Sequence, residues 1–238
     1  MRRASHSQRD LLLCLIMVEI SCLGLLFDLD GVLVDSTPAV ARVWTKWAIA
    51  HGFDPDETVR RAHGRPSLTT IKELLPNAKD PIAENEVVLR GEIEDTEGVV
   101  PLPGVHEFLA AIPPNRWALV TSCSKPLAHV RLKAAGLPTP AKIITSDDVR
   151  VGKPDPEPYL KGAALLGITP ADCLVFEDAP AGIRAGKAAG ARVLAIPTTS
   201  SEAELKAAGS DWIMPKYSCL NLSTSQNGSR HLTLRLNC

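Results

Sequence analysis

From Pro101 onward the sequence alternates short apolar runs with amphipathic stretches: "RWALVTS", "AKIITS", "DCLVFED" and "ARVLAIP" are separated by segments such as "PLAHVRLKAAG", "EPYLKGAALLG" and "AGIRAGKAAG". Continuous apolar runs of this length read as strands buried on both faces, and the intervening segments read as helices. Such βαβ repetition gives a parallel sheet covered by helices on both sides. The expected fold class is therefore α/β, with a doubly wound, Rossmann-like core. An earlier run, "LGLLFD" at 23–28, belongs to the same sheet across a long interruption, and "DWI" at 211–213 is expected as its last short strand.

The interruption is helical. Pro38 opens "PAVARVWTKWAIAHG", in which Val40, Val43, Trp44, Trp47 and Ala48 recur at helical spacing before Gly52. Trp44 and Trp47 are expected as core aromatics. "SLTTIKELL" and "DPIAENEVVLRGEIEDT" continue the helical pattern, so residues 37–100 form an insert between two parts of the core, 23–36 and 101–216. At the amino end, 1–22 is expected as an extension. Its apolar run Leu11 to Val18 follows Arg2, Arg3 and Arg9 like a secretory signal, but Asp10 and Glu19 flank it and it is too short to span a bilayer. Met17 is expected as an alternative start, with residues 1–16 not structural. The Ser/Asn-rich segment at 217–238 is expected as a loosely ordered tail.

With 238 residues, 45% of them hydrophobic, the chain can bury an ordinary core. Its net charge of -1 and lack of a dense Lys/Arg stripe speak against nucleic acid or a membrane as partner. The six cysteines form no CxxC pair and no regular framework. Neither a zinc site nor a disulfide scaffold is expected, and a cytoplasmic monomer is the default.

The candidate chemistry sits at the ends of the apolar runs. In "FDLDG" two carboxylates, Asp28 and Asp30, leave the first strand on the same side, because side chains alternate along extended chain. "VTSCS" offers hydroxyls at Thr121, Ser122 and Ser124, "VGKPDPEPYL" supplies Lys153, and "FEDAPAG" ends its strand in Glu177 and Asp178. In an open parallel sheet the carboxyl ends of strands border the ligand crevice. Oxygen-only groups such as Asp28, Asp30 and Asp178 suit a hard cation such as Mg²⁺. Carboxylates, an ammonium and a hydroxyl together fit phosphoryl transfer, in which one aspartate attacks phosphorus and the other moves protons.

"DLDGVLVDS", "VTSCS", "GKPDPEPYL" and "FEDAPAG", in this order, resemble the four signature motifs of the haloacid-dehalogenase-like hydrolases over about residues 20–216. The chain is most similar there to the sugar- and glycerol-phosphate phosphatases, and the insert at 37–100 resembles their helical C1 cap. The resemblance implies Asp28 as nucleophile, Asp30 as general acid/base, and Mg²⁺ held by Asp28, the Asp30 main-chain carbonyl and Asp178. It also implies that Ser122 and Lys153 hold the phosphoryl group. Ser122 is preferred to Thr121 because it stands one residue further out from its strand, and Glu177 is an outer ligand or a partner of the metal ligands. "AHGRPSLTT" in the insert, with His63, Gly64 and Arg65, resembles the family's substrate-facing loop. The implied substrate is a small phosphorylated sugar or polyol. A β-phosphoglucomutase-like transferase is the alternative, but the cap histidine of such mutases is replaced here by Val40. A catalytically silent binding protein would be expected to have lost some of these charged residues.

Overall fold

The computed structural model describes residues 18–63, 65–224 and 231–237. Among them the strands are β1 Val18–Cys22, β2 Gly24–Phe27, β3 Val34–Asp35, β4 Val100–Pro101, β5 Trp117–Val120, β6 Ile143–Ile144, β7 Cys173–Glu177, β8 Arg192–Ala195, β9 Trp212–Ile213, β10 Leu220–Thr224 and β11 Leu232–Leu236. The α-helices are α1 Thr37–His51, α2 Pro55–Ala62, α3 Ser67–Leu74, α4 Pro81–Glu94, α5 Val105–Ala111, α6 Lys125–Ala134, α7 Glu157–Leu166, α8 Pro180–Ala188 and α9 Glu202–Ala207.

Six strands form one parallel sheet in the order β6-β5-β2-β7-β8-β9. The chain therefore leaves β2 toward β5 and β6, then crosses back to β7, β8 and β9. That reversal makes the carboxyl end of β2, between β5 and β7, the switch point at which doubly wound sheets open a crevice.

Both faces of the sheet are covered, which is why its strands are apolar without alternation. Leu25, Phe27, Leu119, Leu174 and Phe176 pack on one side with Phe108 of α5, Leu127 of α6 and Tyr217. Leu26, Val120, Val175 and Val193 pack on the other with Tyr159 and Ala163 of α7, Ile183 of α8 and Leu205 of α9. Helix α7 comes so close to the sheet that a Cβ on Gly162 would lie 2.7 Å from a Val120 methyl.

Helices α1 to α4 carry a cluster of their own, Val40, Val43, Trp44, Trp47, Ala62, Ile71 and Val88. Helix α1 starts with Pro38 in its first turn and stops at Gly52, whose left-handed φ of 73° other residues adopt only at a cost. Strands β3 and β4 pair antiparallel, Val34 with Pro101 and Asp35 with Val100, so the entry to these helices lies beside the exit. Strand β4 falls where the sequence shows only helical signal, because two residues are too few to display a period.

The segment after residue 217 departs from the expected loose tail. β10 and β11 pair antiparallel with each other, and β11 pairs with β1, to give a three-stranded sheet in the order β1-β11-β10. Its inner residues Ile20, Cys22, Leu220, Leu232, Leu234 and Leu236 join the core cluster on the β2 face. Burial of that alternating leucine face, which the surrounding serines and asparagines mask in composition, fixes the segment. Residues 18–22 of the expected amino-terminal extension are thereby part of the fold, whereas the rest of that extension, including Met17, lies outside the described residues.

Cys22, Cys123 and Cys173 are free thiols, while Cys219 is disulfide-bonded, a link that the irregular cysteine spacing does not announce. Among the described residues no helix is long and apolar enough to cross a membrane.

Candidate active site

Asp28 stands one residue beyond β2, where its N–H still donates to the Phe176 carbonyl at 3.0 Å, so the carboxylate is fixed at the sheet's switch point. Gly31 then turns the chain with φ 75°, and a Cβ there would fall 2.0 Å from Asp178 Oδ2. Glycine after the second aspartate is what lets the loop run against Asp178.

Lys153 reaches in from the loop between β6 and α7. Its Nζ donates to Asp28 Oδ1 at 2.5 Å, to Glu177 Oε1 at 2.6 Å and to the Val120 carbonyl at 3.1 Å. Tyr159 donates its hydroxyl to the same Glu177 oxygen at 2.6 Å, and the other oxygen accepts the Asp178 and Ala179 amides at 3.1 and 3.2 Å. Glu177 is thus fully occupied in holding Lys153 and the start of the following loop. Asp178 accepts from the Thr199 hydroxyl instead.

One ligand oxygen from each of Asp28, Glu177 and Asp178 can be chosen so that all three lie within 4.8 Å of one another. Three buried carboxylates face one ammonium, and the electrostatics reflect the imbalance. Burial, reinforced by Glu177 and Asp30 and opposed by Lys153, raises the Asp28 pKa to about 7. Burial and the neighbouring Glu177 and Asp28 push Asp178 well above the carboxylate range. Burial works against the Lys153 charge, but Asp28 and Glu177 outweigh it and raise that pKa. A divalent cation on oxygen ligands would offset the excess negative charge. Because Glu177 is already committed, Asp28 and Asp178 are the side chains with capacity to hold one.

Asp30 faces other partners. Its Oδ1 accepts from Ser36 Oγ at 2.5 Å, and its Oδ2 accepts from Arg131 Nη1 at 2.5 Å and Cys123 Sγ at 2.9 Å. Burial disfavours its charge, yet Arg131 and these hydrogen bonds hold its pKa below the ordinary value. Ser122 Oγ is buried with no hydrogen-bond partner, whereas Thr121 Oγ1 accepts the Cys123 amide at 3.1 Å. Of the two hydroxyls, that of Ser122 has no partner within the protein and is left for a ligand.

These groups border a cavity of about 380 Å³ between the sheet edge and helices α1 to α4. Asp28, Asp30, Ser122 and Lys153 line it from the sheet side, and Trp44, His63, Arg65, Asn85 and Glu92 from the helical side. Asp178 lies beside Asp28 rather than on the cavity wall. His63 is driven by burial, and further by Arg131, toward the neutral form, with Asp30 opposing. Arg65 forks its guanidinium onto Glu73 of α3, so its charge is already matched. Gly64 lies outside the described residues. Ser67, the first residue of α3, donates its hydroxyl to Asn85 Oδ1 at 2.6 Å.

Sequence reasoning missed Arg131 and Tyr159. The signal for Arg131 was present: Leu127, Ala128, Arg131 and Leu132 are the buried face of α6, so helical spacing puts a charge on an apolar stripe. Cys123, in the loop after β5, is in hydrogen-bond contact with Asp30.

The family model for haloacid dehalogenase-like hydrolases matches residues 23–190. The chain is 45% identical over 182 residues to hexitol phosphatase A of Escherichia coli K12, covering 74% of this chain and 83% of that protein. It is 33% identical over 208 residues to glycerol-1-phosphate phosphohydrolase 2 of Saccharomyces cerevisiae, covering 83% of each. Among solved structures, a hydrolase from Pseudomonas syringae superposes with a TM-score of 0.74 at 26% identity, covering 81% of this chain and 93% of that one.

Proposed function

Because the chain belongs to the haloacid dehalogenase-like hydrolases, we propose that it releases phosphate from a small sugar or polyol phosphate, with Asp28 as the nucleophile. The observation that carries the reading is the buried Asp28 carboxylate, held 2.5 Å from Lys153 at the carboxyl end of the central strand. The curated relatives similar to it over most of their length act on a hexitol phosphate and a glycerol phosphate by name. This supports the substrate class.

In this reading an Asp28 oxygen attacks phosphorus while the bond to the bridging ester oxygen breaks. With a phosphate dianion bound, whose negative charge raises the pKa of the neighbouring carboxyl, Asp30 carries a proton and gives it to that oxygen, so an alcohol leaves. Asp30 then takes a proton from water as the water attacks the aspartyl phosphate, which frees phosphate and restores Asp28. Lys153 and the unpartnered Ser122 hydroxyl hold phosphoryl oxygens. Asp28, Asp178 and the Asp30 main-chain carbonyl would hold Mg²⁺, which when bound supplies positive charge to the phosphoryl group. Residues 37–100 act as a cap that keeps bulk water from the cavity.

A panel of hexitol, glycerol and deoxyhexose phosphates, assayed for free phosphate, tests the proposal. Phosphate release from at least one of them, absent in Asp28→Asn, is expected. Faster interconversion of hexose 1- and 6-phosphates than phosphate release would instead assign a mutase.

A further inference from the structure

We propose that Arg131 is a positioning residue that fixes the Asp30 carboxyl in register with helix α4, so that the seat of α4 over the cavity sets where the acid/base stands. The inference rests on Asp30 acting as the proton donor and acceptor. Arg131 projects from α6 into the core, where it is 5% exposed. Its Nη1 lies 2.5 Å from Asp30 Oδ2 and 2.9 Å from Cys123 Sγ, and its Nη2 lies 3.5 Å from Glu92 Oε2 on α4.

Glu92 is itself anchored. It is buried, and its Oε1 accepts the indole N–H of Trp44 on α1 at 3.1 Å. A chain of contacts thus runs from α1 through Trp44, Glu92 and Arg131 to one oxygen of Asp30. The other oxygen accepts from Ser36, the residue that leads into α1. Both oxygens of Asp30 are therefore held by groups tied to the helical segment, one directly and one through α6. A guanidinium suits this task because its planar fork presents donors on separate nitrogens at fixed angles, whereas the donors of an ammonium share one nitrogen and rotate about a single bond.

Proton donation matters most when the leaving group is a poor one, and a displaced acid shows itself in that dependence. The test measures kcat/KM for a series of ring-substituted phenyl phosphates, from dinitrophenyl to phenyl, with wild type, Asp30→Asn, Arg131→Lys and Glu92→Gln. The rings have similar shape and carry no hydroxyls, so lost substrate contacts to Arg131 do not mimic a lost acid. Expected is a loss of about 10- to 100-fold on phenyl phosphate in Arg131→Lys, with dinitrophenyl phosphate changed by less than about threefold. Glu92→Gln, which keeps an acceptor for Trp44, should shift the dependence the same way by a smaller factor, and it serves if Arg131→Lys does not fold. A wild-type dependence in both variants, or equal loss on every substrate, overturns the inference while leaving the Asp30 assignment intact. If Asp30→Asn itself loses all substrates equally, the proton-transfer role fails and the inference falls with it.

Discussion

Lys153 Nζ stands 2.5 Å from Asp28 Oδ1 and 2.6 Å from Glu177 Oε1, one ammonium between two carboxylates, with all three residues buried. Such a set resists the loss of its centre more than the loss of its edges. Lys153→Met leaves two carboxylates uncompensated and is expected to lower unfolding free energy by about 3–5 kcal/mol in neutral denaturant titrations. Tyr159→Phe, which removes one of several donors to Glu177, should cost only about 1–2 kcal/mol. A Lys153→Met protein as stable as wild type would show that the pair is not held in this way.

Asp28→Asn keeps the volume and the fold but removes the anionic nucleophile. Turnover of the best panel substrate should fall by at least about a thousandfold, with an unfolding midpoint no lower than that of wild type. Residual activity within tenfold of wild type would place the nucleophile elsewhere.

Ser122 offers a contrast between stability and activity. Its hydroxyl is buried without a partner, so Ser122→Ala removes an unsatisfied group and should leave the ligand-free protein as stable or up to about 1 kcal/mol more stable. The same change should weaken phosphate binding, read as a smaller rise in melting temperature on adding inorganic phosphate. Destabilisation with unchanged phosphate binding would reverse the assignment.

The Asp28 pKa of about 7 in metal-free protein carries a definite sign. A carboxyl whose folded-state pKa is raised favours folding below its ordinary value, and that contribution is lost as pH rises through about 7. Chelated wild type should therefore lose more stability between about pH 5 and 8 than chelated Asp28→Asn. Since a cation competes with the proton, stabilisation by added Mg²⁺ should be weak at the acid end and grow toward neutral pH, and chelation should abolish turnover. Equal pH slopes for the two proteins would contradict the burial of Asp28.

The parallel core was legible because its strands are buried on both faces, so each shows as an unbroken apolar run such as "CLVF", which ends at the carboxylate Glu177. The outer sheet was not, because β10 and β11 bury one face only and interleave leucines with Asn, Ser, Thr and Arg. Of the candidate site, Asp28, Ser122 and Asp178 were readable as polar groups at strand ends and Lys153 as a charge in a loop beyond one. The engagement of Arg65 by Glu73, eight residues along, and the reach of Arg131 to Glu92 depend on how helices pack, which local pattern does not encode. Tyr159 likewise looks like an ordinary core aromatic until its hydroxyl is found on Glu177.

The pairing of Val18–Cys22 with Leu232–Leu236 has a consequence for how the protein is made. During synthesis β1 leaves the ribosome among the earliest of these elements, and β11, the strand that pairs with it, leaves last. Until then Ile20 and Cys22 have no cover from Leu234, and the face that carries Leu25 and Phe27 lacks part of its coat. A nascent chain therefore waits, with this apolar face exposed, until the more than 200 residues between β1 and β11 have been translated. Chaperone dependence in the cell should then track translation of β10 and β11 rather than completion of the parallel sheet.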